Sequence, residues 1–145
     1  MFSLIRCGTD GSPIEPIGTL PDEIVANCKA TAEFYGRIGF IEPWVGYVAV
    51  DSDTAVGGGA FVGAPRDNLV EIAYYTLSRM EGKGYATQTA SELLRIARTH
   101  QPGITIKAFT LRENNASTKI LEKLGFKLFG DARDPDAGDV WEWRA

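Results

Sequence analysis

Six residues, Arg79-Met80-Glu81-Gly82-Lys83-Gly84, stand between a strand-like run from Val70 to Leu77 and a helix-like run that begins at Tyr85. Two glycines one residue apart let the backbone turn tightly with no Cβ in the way. A turn that feeds a helix leaves amide N–H groups pointing outward, and the helix dipole adds partial positive charge, so the spot suits a phosphate or pyrophosphate. The commoner phosphate loops fail on the letters. A Walker loop needs Gly-Lys followed by Ser or Thr, and Lys83 is followed by Gly84. A dinucleotide fingerprint needs a third glycine, where Thr87 stands, and an acidic residue placed to hold a ribose. One carboxylate also asks for attention. Glu71 sits in the strand between Val70 and Ile72, where partial burial would lift its pKa toward that of a general base; the alternative is a carboxylate paired on an exposed face.

What remains resembles the Arg/Gln-x-x-Gly-x-Gly/Ala motif of the GNAT superfamily of acetyl-CoA-dependent N-acetyltransferases, matched by Arg79, Gly82 and Gly84 and continued by Tyr85-Ala86-Thr87. A second stretch, Asn114-Asn115-Ala116-Ser117 followed by Ile120-Leu121-Glu122-Lys123-Leu124-Gly125-Phe126, resembles the Asn-x-Ala-Ser, then Leu-Glu-Lys-x-Gly-Phe pattern of the ribosomal-protein alanine N-acetyltransferase branch. The two motifs in order span roughly half of the chain. The resemblance implies a mixed α/β fold: a mostly antiparallel twisted sheet of about six to seven strands, flanked by helices and splayed between the fourth and fifth. It also implies acetyl-CoA as acetyl donor. Its diphosphate would lie on Arg79, Gly82, Lys83, Gly84, Tyr85 and Ala86, and its pantetheine arm along the backbone of Tyr74, Tyr75 and Thr76, with Asn114 and Ser117 also in contact. Glu71 would act as base on an amine acceptor, often through water, and Ser117 would hold or protonate the leaving sulfur. The alternative for Ser117 is a hydroxyl bonding its own helix. Where the family usually has a tyrosine acid, this chain has Leu121. Lys119 and Lys123 either reach the phosphates or are solvated helix charges. Direct transfer needs no nucleophilic side chain, which agrees with the absence of a Ser/His or Cys/His arrangement. A module of the same fold that binds acyl-CoA without catalysis is the rival reading.

With 145 residues the chain is long enough for one domain, residues 1–145, with a real core, and too short for two. Hydrophobic content is 44% and charged content 23%, ordinary for a globular protein. The formal net charge is −4 and no block of basic residues occurs, so no nucleic-acid partner is expected. The start lacks a secretion signal and no apolar run is long enough to span a bilayer, so no membrane partner and a cytoplasmic location are expected. Cys7 and Cys28 lack the spacing of a metal cluster, so no metal is expected; they read as reduced thiols in apolar niches. His100 reads as a helix-terminal surface residue.

These groups need elements to hold them. Residues 2 to 6 suit an edge strand. Ile24, Val25, Cys28, Ala32 and Tyr35 recur at helical spacing after Pro21. The aromatic segment Phe40 to Gly46 either packs the core or borders an acceptor cleft. Strands follow at 47–50, 55–62 and 69–77, with Gly57-Gly58-Gly59 marking close packing or a bulge. A helix from Tyr85 to Thr99 turns Ala86, Ala90, Leu93, Leu94 and Ala97 to one side. A strand at 104–109 precedes a helix capped by Asn114 with Ala116, Ile120 and Leu124 inward. Strands at 126–129 and 140–144, joined by a polar turn over 131–139, complete the chain; Trp141 and Trp143 there are either core or the face of a homodimer.

Overall fold

The computed structural model describes residues 1–145. In chain order the elements are β1 (Phe2–Arg6), α1 (Asp22–Ile38), β2 (Gly46–Asp51), β3 (Thr54–Phe61), β4 (Leu69–Thr76), a 3₁₀ turn (Ser78–Met80), α2 (Tyr85–His100), β5 (Thr105–Leu111), α3 (Ala116–Lys123), β6 (Lys127–Asp134) and β7 (Gly138–Arg144). The seven strands form one sheet in the order β1-β2-β3-β4-β5-β7-β6, antiparallel except where β4 meets β5. This is the mixed, GNAT-like fold that the two motifs imply. No helix is long and apolar enough to cross a membrane.

Small residues set how closely the layers approach. A Cβ on Gly59 of β3 would come within 2.9 Å of Leu93 Cδ1 and 3.0 Å of Thr89 Cγ2, so α2 lies directly on that strand. A Cβ on Gly57 would sit 2.3 Å from the carbonyl oxygen of Tyr75, so the pairing of β3 with β4 requires glycine there. The buried side of α2 is Thr89, Ala90, Leu93, Leu94 and Ala97, with Ala86 half-buried. On it a large core assembles from Phe61, Val70, Ile72, Ile106, Ala108, Leu121 and Trp143. Opposite, α1 buries Ile24 and Cys28 against Cys7, Val48, Val50 and Leu77 in a second cluster.

The sheet opens in the middle. β4 pairs with β5 only at Leu69↔Thr105, Val70↔Ile106 and Glu71↔Lys107. Beyond that, β4 stays with β3 as far as Gly57↔Thr76 and β5 stays with β7 as far as Leu111↔Val140. Each strand follows its outer neighbour, and the accumulated twist of the sheet carries the two halves apart. The Val62 N–H donates to the Glu71 carbonyl at 2.9 Å and the Leu77 N–H to the Val56 carbonyl at 2.9 Å. By strand alternation the peptide groups of Glu71, Ala73, Tyr75 and Leu77 face β3, and those of Tyr74 and Thr76 face the opening.

Two local expectations need correction. The cap of α3 is Asn115: its side chain accepts from the Thr118 N–H at 3.1 Å while its own N–H donates to Thr118 Oγ1 at 3.0 Å. Its fully buried residues are Thr118 and Leu121; Leu124 packs half-buried against the core as expected, Ile120 is half-buried, and Ala116 is exposed. The expected turn over 131–139 is mostly strand, because β6 and β7 pair out to Asp134↔Gly138. Trp143 is interior, 5% exposed, with its indole N–H donating to Thr110 Oγ1 at 2.9 Å, so it presents no face to a second copy. Trp44 and Val45 of the aromatic segment are also interior, with Trp44 edge-on to Phe61 at 5.0 Å and to His100 at 5.5 Å.

Candidate active site

The N-terminus of α2 has no side-chain cap. Gly84 occupies the capping position in a left-handed conformation (φ 83°, ψ 7°), and Gly82 is also left-handed (φ 78°). From Gly82 through Thr87 no backbone N–H donates to a protein acceptor; the first to do so is that of Gln88, to the Gly84 carbonyl at 3.1 Å. Six consecutive amides are therefore unengaged at the positive end of a 16-residue helix. They open into a cavity of about 630 Å³ walled by the end of β4, this turn and the start of α3. Tyr74, Tyr75, Thr76, Gly82, Gly84, Tyr85, Ala86 and Ser117 all line it.

The individual side chains divide by role. Thr76 Oγ1 is buried in the chain without a hydrogen-bond partner, an orphaned polar atom on a residue that lines the cavity. The peptide group of Tyr75 is turned to β3, and its ring lies over Gly58 beside the cluster that α1 buries. Tyr85 is held from behind: its hydroxyl donates to Asp51 Oδ2 at 2.6 Å and its ring stacks on Phe2, which ties the start of α2 to the β2–β3 turn. Hydrogen bonding from Tyr85 in turn holds the Asp51 carboxyl below its usual pKa. Three expected contacts lie outside the cavity wall. Arg79 pairs with Glu23 of α1 at 2.6 Å, Lys83 is exposed in the loop, and Asn114 is exposed just before the α3 cap. Lys119, one turn into α3, does line the cavity, whereas Lys123 does not.

A second cavity of about 370 Å³ fills the opening between β4 and β5 and shares Tyr74 and Ser117 with the first. Glu71 lines it, half-buried, with its pKa raised chiefly by burial. Lys107, opposite Glu71 on β5, partly offsets that rise, and Asp134 and Glu142 add to it. Lys107 lies over the Phe109 ring, Glu142 pairs with Arg144 at 2.6 Å, and Asp134 Oδ2 accepts from the amides of Asp136 and Ala137. Glu71 has no ion-pair partner, so an unpaired, partly desolvated carboxylate stands in the opening. Ser117 is half-buried where the cavities meet, and its hydroxyl makes no hydrogen bond within the chain. Leu121, 1% exposed, is sealed in the core. Tyr74 is also desolvated, its hydroxyl pKa pushed up to about 12. Asp134, Phe109 and Leu111 complete the opening and carry no local sequence signal, since only the splay brings them to β4.

Residues 21–127 match the Acetyltransferase (GNAT) domain. The chain belongs to the GNAT acetyltransferase family. GNAT enzymes use acetyl-CoA as cosubstrate. The chain is similar to the Uncharacterized N-acetyltransferase YjdG of Bacillus subtilis (strain 168), with 36% identity over 94 residues that take in 64% of this chain and 55% of that protein. It thus spans about half the length of that relative. Among solved structures, the ribosomal-protein-S5-alanine acetyltransferase of Vibrio fischeri superposes with a TM-score of 0.68 at 18% identity, covering 90% of this chain and 76% of that one. A chimera of the spermidine N-acetyltransferase of Vibrio cholerae superposes with a TM-score of 0.70 at 14% identity, covering 99% and 93%. Those two proteins are named for different acceptors, and at these identities the likeness concerns the fold alone.

Proposed function

We propose that this chain is a single-domain enzyme, residues 1–145, that transfers an acetyl group from acetyl-CoA to a primary amine of a small molecule, peptide or protein N-terminus by direct attack in a ternary complex. The observation that carries this reading is the run of unengaged amides from Gly82 to Thr87, opening into a cavity that continues to Glu71. The coenzyme's diphosphate rests on those amides, with Lys119 and the loop's Lys83 and Arg79 adding positive charge once Arg79 leaves Glu23. The pantetheine arm runs along the free edge of β4 and bonds the peptide groups of Tyr74 and Thr76. An N–H of that edge faces the thioester oxygen and stabilises the charge that develops on it.

Glu71 takes the proton of the attacking amine, directly or through one water, and its raised pKa keeps it basic enough to do so. The amine nitrogen forms the new C–N bond, the C–S bond breaks, and the thiolate receives a proton from Ser117, itself resupplied by solvent. Leu121 plays no part in this step. An α-amine needs about 2.5 pKa units less work than a lysine amine, so a carboxylate base suits an N-terminal or small-molecule acceptor. The setting is the cytoplasm, and the acceptor is neither nucleic acid nor membrane lipid.

Calorimetry with acetyl-CoA and free-thiol release with a panel of amines test the proposal together. Binding with turnover is expected. Absence of heat at high micromolar acetyl-CoA overturns it, and affinity without thiol release for any amine reduces the chain to an acyl-CoA-binding module.

A further inference from the structure

A third cavity, about 240 Å³, lies on the other side of β4, between α1 and the strands β2 to β4. Its wall is mostly hydrophobic and contains no charged residue. Its polar groups are uncharged, and two of them are already satisfied. Thr31 Oγ1 donates to the Asn27 carbonyl at 2.8 Å, and the Tyr47 hydroxyl donates to the Pro43 carbonyl at 2.7 Å. Cys7 and Cys28, distant in sequence, meet here as free, buried thiols, with Cys7 pushed up to about 12 mainly by burial, so both serve as uncharged lining. Such a wall accepts an apolar guest and penalises a charged one.

The position of the cavity says whose guest it is. It borders the opening at Ala73 and Tyr74, the residues it shares with the cavity that holds Glu71. Glu71 and Ala73 point to the same side of the sheet, about 7 Å apart along the strand, and the exposed methyl of Ala73 raises no barrier between them. An amine poised against Glu71 would therefore have the substituent on its neighbouring carbon directed over Ala73 into the space beneath Phe34 and Thr31. We infer that this cavity is a specificity pocket for an apolar side chain of the acceptor, and that the preferred acceptor is an amine bearing a branched aliphatic or aromatic group beside the acetylated nitrogen. The inference rests on the acetyl-transfer reading and sharpens its substrate class.

Thiol release from acetyl-CoA is to be measured with glycinamide, lysinamide, leucinamide and phenylalaninamide. Leucinamide or phenylalaninamide should exceed glycinamide and lysinamide in kcat/KM by about tenfold or more, the scale set by filling an apolar pocket. Thr31→Leu, which narrows the cavity from α1, should reduce that ratio severalfold. Phe34→Ala, on the partly exposed side of the helix, should widen the cavity and move the preference from leucinamide toward phenylalaninamide. Turnover with all four amides at similar kcat/KM, or a ratio that neither variant changes, overturns the pocket and leaves acetyl transfer standing. Thiol release with none of them, nor with any other primary amine, overturns both.

Discussion

Gly84 and Gly103 flank the same helix in nearly the same left-handed conformation, φ 83° and 82°, and a Cβ at either would meet nothing within 4 Å. Replacing each by alanine therefore imposes the same backbone penalty, about 1–2 kcal/mol, at opposite ends of α2. For 145 residues the unfolding entropy is about 0.3 kcal/mol per kelvin, so Gly103→Ala should lose about 3–7 °C in Tm without ligand, and Gly84→Ala, whose empty turn is free to relax, should lose less. Only one of them touches the amides that receive the diphosphate. Coenzyme A at 100 times its Kd should stabilise the native chain by about 2.7 kcal/mol, or about 9 °C. In Gly84→Ala the free protein relieves its strain by relaxing toward negative φ, and binding must restore it, which weakens affinity by up to about 5–30-fold. At the same ligand concentration its gain should fall to about 0.9–1.8 kcal/mol, about 3–6 °C, while Gly103→Ala keeps the full shift. Differential scanning calorimetry with and without coenzyme A measures all six values. Equal ligand-induced shifts in the two variants would refute the assignment of the α2 mouth as the diphosphate site.

Glu71→Gln should lower kcat/KM about 10²–10⁴-fold and abolish the acid limb of the pH profile contributed by this carboxyl. The same change should raise Tm at pH 8. Burial lifts the folded-state pKa above the unfolded value, so the folded chain binds the proton better, stability falls as pH rises through that interval, and the uncharged amide escapes the penalty. An unaltered pH profile would remove Glu71 from the chemistry. Ser117→Ala should reduce kcat about 10–150-fold, the worth of a hydrogen bond to a charged group, with Tm unchanged within a degree or two; a wild-type kcat leaves solvent as the sole acid. Leu121→Tyr should supply no acid, since that position is sealed in the core, and should cost about 1–3 kcal/mol by overpacking; denaturant midpoints report the loss, and faster turnover would contradict it.

The coenzyme loop was legible because its signal is local: two closely spaced glycines, a strand before and an amphipathic helix after. Helix α2 and the strands on either side of it followed from periodicity, as did the element order. The misplaced α3 cap came from two adjacent asparagines with equal capping ability, a choice settled by the reciprocal Thr118 bond. β6 was cut short because Asp131 to Asp134 read as turn; they form an edge strand whose ladder bonds go to β7 without an apolar face. The resemblance implied the splay and the observed strand pairings display it, but no stretch of the sequence encodes it locally, because it depends on which neighbour holds each strand. The pairing of Arg79 with Glu23 and the meeting of Cys7 with Cys28 join residues far apart along the chain, where no period or spacing points.

The parting of β4 from β5 after three residue pairs leaves the ladder with missing rungs, and a pantetheine amide is chemically a peptide. A bound coenzyme would act as a short guest strand that stitches the two half-sheets along their seam. Slowed deuterium uptake at Tyr74 and Thr76, against unchanged uptake at the already paired Tyr75, would then read out occupancy one amide at a time.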